Sequence, residues 1–185
     1  MNKSKLFIII TCIVLAVVAF QGIWHLVSYY QGPYYALKKS NPQKYEQLKK
    51  NEQDLRAKIK KNDLDQNSWI ELGVIYEAYG DYNKAVESYK KAIEISEATI
   101  MGWINIANCY IQLEQYAKAE DAYRNFIRIY PDSTQGYDAL AHLFVSGKWG
   151  TKEDAMKVYE QGIDRTNDEF LKQYLEDVKY GRPLP

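Results

Sequence analysis

Trp69 and Trp103 lie 34 residues apart, and the segments around them align without a gap. A period of this length constrains the chain more than its composition does, because a repeated supersecondary unit buries its apolar face only by stacking against its neighbours. The first unit, starting at Gln66, carries Trp69, Leu72, Gly73, Tyr76, Gly80, Tyr82, Ala85, Tyr89 and Ala92. The second, starting at Ile100, carries Trp103, Ile106, Ala107, Tyr110, Tyr116, Ala119, Tyr123, Phe126 and Pro131. Trp69, Leu72 and Tyr76, like Trp103, Ile106 and Tyr110, recur at spacings of three and four, which predicts one apolar stripe on a helix. Gly73, Ala85, Ala107 and Ala119 are small where two helix backbones must approach closely. Gly80 and Asp81 mark a turn, and Pro131 ends the last helix of the second unit, since proline lacks the amide hydrogen and clashes in a helix interior.

A third unit begins at Thr134 with Tyr137, Leu140, Ala141 and Phe144 in place, but Ala155, Tyr159 and Gly162 arrive two positions late. Residues 146–151, reading SGKWGT, absorb the extra length. Trp149 is expected to pack between helices there, with an exposed contact role as the alternative. Gly162, where alanine is usual, is expected to weaken its helix by up to about 1 kcal/mol. After Asn167, residues Phe170, Tyr174, Leu175 and Val178 keep helical spacing and read as a capping helix that stops at Gly181 and Pro183. Before the first unit, Pro42 opens a helix with Asn41 as its N-cap and Tyr45, Leu48, Leu55 and Ile59 as its seam.

Spacing and residue types together resemble the tetratricopeptide-repeat (TPR) family, over about residues 66–166. The resemblance implies an all-α fold, a TPR α-solenoid of three helix pairs with flanking helices, here preceded by an N-terminal transmembrane helix. The expected layout is a basic N-terminus (1–5), a transmembrane signal anchor (6–29), and a juxtamembrane linker with a lysine-rich helix (30–65). TPR 1 (66–99), TPR 2 (100–133), TPR 3 with a two-residue insertion (134–169) and a capping helix and tail (170–185) follow. In this family the first helix of each pair lines a concave surface that holds an extended peptide or a partner helix. Carried over, that surface comprises Asn67, Ile70, Val74 and Glu77; Met101, Ile104, Asn105, Asn108 and Ile111; and Gln135, Asp138, His142 and Val145. One TPR mechanism grips the C-terminal carboxylate of a chaperone with basic and amide groups. This chain departs from it: Ile70, Val74, Gln135 and Ala139 stand at the required positions, and Asn105 alone matches. A hydrophobic helix or extended segment, with Asn105 and Asn108 bonding to its backbone, is the expected occupant.

Residues 6–27 form an apolar run of 22 residues broken by no charge and preceded by Lys3 and Lys5. As a helix it would span about 33 Å, close to the roughly 30 Å of bilayer hydrocarbon. Trp24, Tyr29 and Tyr30, with Tyr34 and Tyr35, cluster where it would emerge, as amphipathic rings do at the headgroup level. Lys38 and Lys39 follow and complete the interface set. A cleaved signal peptide, with Val17 and Ala19 as its small residues, is the competing reading. The lysines on the two flanks pull the orientation in opposite senses. The expectation is a single-pass protein of a bacterial inner membrane with the repeats outside the cytoplasm.

All 24 acidic residues follow residue 45, and residues 38–61 hold nine basic side chains against three acidic. That zone suits either a solvated helix face or anionic headgroups. No basic stripe continues it, so nucleic acid is not an expected partner. Cys12 and Cys109 sit in segments that cannot meet, and the two histidines, His25 and His142, have no ligand cluster or nucleophile motif around them. No enzyme, metal or cofactor is expected. The expected partners are a protein in the groove and the membrane at the N-terminal helix, with self-association left open. Three functions follow: a membrane-tethered interaction scaffold; an assembly factor for exported clients, as in cytochrome c maturation, whose bacterial TPR proteins residues 55–89 resemble; or an accessory subunit fixed in a respiratory or secretory machine.

Overall fold

The computed structural model describes residues 32–184, and all regular structure among them is helical. The helices are α1 (Pro33–Ser40), α2 (Pro42–Lys61), α3 (Gln66–Tyr79), α4 (Tyr82–Ile95), α5 (Ile100–Gln112), α6 (Tyr116–Ile129), α7 (Thr134–Val145), α8 (Lys152–Thr166) and α9 (Glu169–Lys179). The chain divides into two units, Met1–Lys50 and Asn51–Pro185. The expected anchor, with Trp24, Tyr29, Tyr30, Cys12 and His25, lies outside the described residues. Among the described residues no helix is long and apolar enough to cross a membrane.

In the first unit, α1 is a helix that the sequence reading missed, opened by proline in its first turn and ending on Lys38 and Lys39. The Asn41 side chain accepts the Lys44 amide at 3.0 Å and so caps the start of α2.

The second unit is a stack of antiparallel pairs, α3 with α4, α5 with α6 and α7 with α8, each pair packing on the next, and α9 closes the far end against α8 and α7. Small residues set the closeness of each pair. Ala85, Ala107, Ala119, Ala141 and Ala155 are fully buried, and a Cβ added at Gly73 would lie 2.5 Å from the Tyr89 ring. The large side chains beside them, Tyr89, Phe126, Tyr159 and Leu140, are almost wholly removed from water, each burial contributing about 1.5–3 kcal/mol.

Local chemistry fixes where the helices stop and start. Gly80 leaves α3 in the left-handed region at φ 77°, where glycine has no Cβ penalty, and Asp81 then caps α4 through the Lys84 amide. Thirty-four residues on, Glu114 takes the same left-handed conformation at φ 58°. The hydrogen bonds match: Asp81 N–H to Tyr76 C=O and Gln115 N–H to Tyr110 C=O, both 2.8 Å. Thr151 and Asp154 form a reciprocal capping box at α8. The hydroxyl of Thr151 holds the Asp154 carboxyl below its ordinary range.

A second device recurs in all three pairs. The Trp69 indole donates to the Asp63 carbonyl at 2.8 Å, the Trp103 indole to the Glu97 carbonyl at 2.9 Å, and the Tyr137 hydroxyl to the Pro131 carbonyl at 2.9 Å. Each aromatic thus reaches back six residues and fastens the turn that precedes its own helix.

Three expectations need correction. Trp149 does not pack between helices: it is 37% exposed, and its indole donates to Glu120 at 2.7 Å. The loop turns so sharply at Gly150, φ 72°, that a Cβ there would strike the Phe144 ring, which leaves no room for a larger ring inside. Phe170 is 71% exposed and Leu171 takes the buried position in α9, because α9 starts at Glu169, capped by Asp168 through the Phe170 and Leu171 amides. Gly162 is no weak substitute for alanine. A Cβ there would lie 2.7 Å from Leu171 and 2.8 Å from Tyr137, so glycine is what lets α7, α8 and α9 converge. Gly162→Ala gains up to about 1 kcal/mol of helix propensity but overpacks the crossing, at a cost of about 1–3 kcal/mol. It is expected to lower the thermal midpoint by a few degrees, and a raised midpoint in a calorimetric melt would refute the close-crossing account.

Candidate functional site

The first helices of the three pairs, α3, α5 and α7, carry the residues assigned to the binding surface. Asn67, Val74, Met101, Asn108, Gln135 and Val145 are exposed, while Glu77, Ile104, Asn105, Ile111, Asp138 and His142 are half-buried. Ile70 is corrected: at 8% exposure it belongs to the core and offers no contact. Val74 and Met101, at 43% and 55% exposed, are apolar side chains left in water on this surface.

Three polar residues of the surface, Glu77, Asn108 and Asp138, are held from below, a feature that sequence reading did not find. Tyr89, Tyr123 and Tyr159 stand at corresponding places on α4, α6 and α8 and are buried. Each passes its hydroxyl through the stack to an acceptor on the first helix of its own pair. Tyr89 donates to Glu77 at 2.6 Å, Tyr123 to Asn108 at 2.7 Å and Tyr159 to Asp138 at 3.2 Å. The acceptors fall eight, five and one residues after Trp69, Trp103 and Tyr137 respectively. They therefore step back about one helical turn per repeat, and the row runs obliquely across α3, α5 and α7.

Secondary contacts complete the row. Asn105 donates to the Tyr89 hydroxyl at 3.3 Å, the Cys109 thiol donates to Glu77 at 3.4 Å, and His142 Nε2 lies 3.4 Å from Asp138. Burial pushes the Tyr89 hydroxyl far up, and its bond to Glu77 adds to this. Burial likewise raises the Cys109 thiol, with the Glu77 charge second, and raises the Tyr159 hydroxyl, with the Asp138 charge second. Burial alone takes Tyr123 to about 12. All four groups therefore stay protonated and neutral at physiological pH. They orient their acceptors without cancelling a charge.

Glu77, Asn108 and Ile111 are brought together around a hollow of about 360 Å³, which Tyr82, Cys109 and Gln112 also line. Two further hollows repeat with the 34-residue period. One is lined by Trp69, Leu72 and Tyr76, the other by Trp103, Ile106 and Tyr110. Lys84 and Lys118 sit 5.6 Å from the Tyr76 and Tyr110 ring centroids, an arrangement that a cation and an aromatic face favour. Beside the first, the Tyr76 hydroxyl donates to Glu52 of α2 at 3.0 Å and bonds to Arg56. Among the described residues no group of three or more His, Cys, Asp or Glu is placed to hold a metal ion.

Lys38 and Lys39, assigned to a membrane interface, are exposed at the end of α1, with the Lys38 ammonium 5.7 Å from the Tyr45 ring centroid.

Helix pairs at a 34-residue spacing, with small residues at each crossing, are those of tetratricopeptide repeats, and models of that repeat match residues 67–97 and 100–133. The chain therefore carries TPR repeats. Its fold is similar to MamA, residues 41 to the end, from Desulfovibrio magneticus RS-1, with 15% identity over 80% of each chain and a TM-score of 0.56. It is also similar to TTC0263, a thermophilic TPR protein in Thermus thermophilus, with 15% identity over 80% of this chain and 87% of that one and a TM-score of 0.56. YrrB, described as a TPR protein with an unusual peptide-binding site, shares 16% identity over 65% of this chain and 61% of that one, with a TM-score of 0.51. No curated protein sequence matches this chain. At such identities the likeness is one of fold. TPR folds typically serve protein–protein interaction.

Proposed function

We propose that this chain is a membrane-tethered interaction scaffold whose α3–α5–α7 surface binds a peptide or helix of a partner protein within a membrane complex. The observation that carries this reading is the oblique row of tyrosine-held polar groups beside exposed Val74 and Met101. Groups fixed before a partner arrives lose little freedom on binding, and that preorganisation favours affinity. Fixed acceptors spaced along a row suit the main chain of a peptide, and the apolar residues between them suit its side chains. Tethering is supported by the uncharged run of residues 6–27, with its flanking aromatics and lysines. A short basic leader, Lys3 and Lys5, ahead of an apolar run is the usual form of a signal anchor, and on it we rest a single-pass topology in a bacterial inner membrane with the repeats outside the cytoplasm.

The test is recovery of the full-length chain from gently solubilised membranes, comparing the wild type with Ile104→Glu. Ile104 is half-buried on the surface and makes none of the tyrosine bonds. Asn108 is a poor choice, since removing it would leave the buried Tyr123 hydroxyl unpaired at about 1–3 kcal/mol. Quantitative mass spectrometry is expected to find a small stoichiometric set of partners that Ile104→Glu loses. Many substoichiometric unfolded clients would favour the assembly-factor reading instead. Partners retained at unchanged yield by Ile104→Glu would exclude this surface.

A further inference from the structure

The surface on α3, α5 and α7 has a one-sided charge. The carboxylates of these three helices are Glu71, Glu77 and Asp138, and none of the three contains a lysine or arginine. Elsewhere in the stack carboxylates are commonly paired with cations: Asp81 with Lys84, Glu97 with Arg128, Glu120 with Arg124, Asp132 with Arg165. Among the described residues Glu77 has no such partner, and Asp138 has only His142. The lysines and arginines of the second unit lie outside α3, α5 and α7.

Glu77 is nonetheless a built acceptor rather than a stray surface charge. One of its oxygens, Oε1, receives both the Tyr89 hydroxyl and the Cys109 thiol, which fixes the carboxylate plane on the wall of the hollow of about 360 Å³. Neither donor carries charge, so the full negative charge is offered to that hollow. Asn108 and Gln112 beside it supply neutral amide groups, and Ile111 supplies an apolar wall. A carboxylate held in a partly enclosed site attracts a cation more strongly than one free in water. An acidic segment or a free chain carboxylate would meet these carboxylates and no lysine or arginine of the same helices, a cost that selects against it.

Resting on the groove reading above, we infer that the bound segment is basic: a lysine or arginine of the partner enters the hollow and pairs with Glu77, while apolar side chains flanking it lie over Val74, Met101 and Ile104.

The experiment pans displayed random peptides on the full-length protein in detergent micelles, then measures the enriched peptides against Glu77→Gln and Ile104→Glu. Glutamine keeps an acceptor for Tyr89 and Cys109 while removing the charge. The expected peptides carry lysine or arginine beside apolar residues, bind Glu77→Gln about ten- to a hundredfold more weakly, and lose binding to Ile104→Glu. Replacing the peptide's own basic residue by glutamine, with the wild-type protein, is expected to give the same loss, which keeps the test valid if Glu77→Gln folds poorly. Added salt should weaken the wild-type complex more steeply than the Glu77→Gln complex. Enriched peptides that are acidic or neutral, or that lose Ile104→Glu yet bind Glu77→Gln as tightly as wild type, overturn the basic-partner inference and leave the groove reading standing. Peptides indifferent to Ile104→Glu, or a failure to enrich any, overturn both.

Discussion

Phe126→Ala is expected to cut the repeat stack in two. The ring is fully buried on α6, lies where a Cβ on Gly136 of α7 would be 2.6 Å away, and is 5.2 Å from the Tyr130 ring. Truncating such a phenylalanine costs about 3–5 kcal/mol, a large part of the roughly 5–15 kcal/mol that holds an ordinary domain folded. The loss falls on one seam, because a solenoid is held by contacts between neighbours and the seam between α6 and α7 joins the second pair to the third. Hydrogen exchange is expected to show α7, α8 and α9 losing protection first while α3 and α4 keep theirs, with two helical melting transitions in place of one. Uniform loss of protection across α3 to α9 would show that the stack unfolds as a single unit and that the seam has no special place.

Alkaline unfolding is the second large effect. Tyr89, Tyr123, Tyr159 and Cys109 all titrate above their ordinary values in the folded chain, chiefly through burial. In the unfolded chain the tyrosines ionise near 10.0 and the thiol near 9.0. Below those values both states are protonated and stability is intact. Above them the unfolded state binds fewer protons than the folded one, so unfolding free energy falls as pH rises. Each group removes about 1.4 kcal/mol per pH unit, and by about pH 11 the four together remove at most about 7 kcal/mol. Exposed tyrosines such as Tyr180 ionise gradually near their ordinary value, and above that slope a steep step in tyrosinate absorbance, from the buried hydroxyls, is expected to coincide with the loss of helical circular dichroism between about pH 10 and 12. Tyr123→Phe, which removes one ionising group, should make the fall in stability with pH shallower by up to about 1.4 kcal/mol per pH unit. Absence of that step, with all the tyrosinate absorbance appearing gradually before any helix is lost, would mean that the three hydroxyls are not sequestered.

How much of this could be read from the sequence depended on whether a feature is repeated. The helix pairs, the small residues at their crossings and the aromatic stripes are dictated by a period that two tryptophans announce. Even Glu114 adopts the left-handed turn that Gly80 adopts, although glutamate disfavours it, because the flanking pairs impose the geometry. The tyrosine hydroxyl bonds were illegible for the opposite reason. Tyr89, Tyr123 and Tyr159 are periodic, but their acceptors Glu77, Asn108 and Asp138 shift by a turn each time, so no fixed offset links donor to acceptor. Irregular places misled as well. Phe170 and Leu171 are both apolar, and only the cap at Asp168 decides which of them turns inward. Ile70 matches the family's contact position and yet is buried. Glycine at 162 looked like a defect until three helices were seen to meet there.

The carbonyls that Trp69, Trp103 and Tyr137 grasp bear on how this molecule could be lengthened or shortened. Those carbonyls belong to Asp63, Glu97 and Pro131, upstream of the helices that hold them. A transplantable module therefore begins at the grasped residue, not at the first helical one. Excising residues 97–130 carries each clasp away with its own loop, whereas a cut at Ile100 leaves the clasp of Trp103 without the loop it closes.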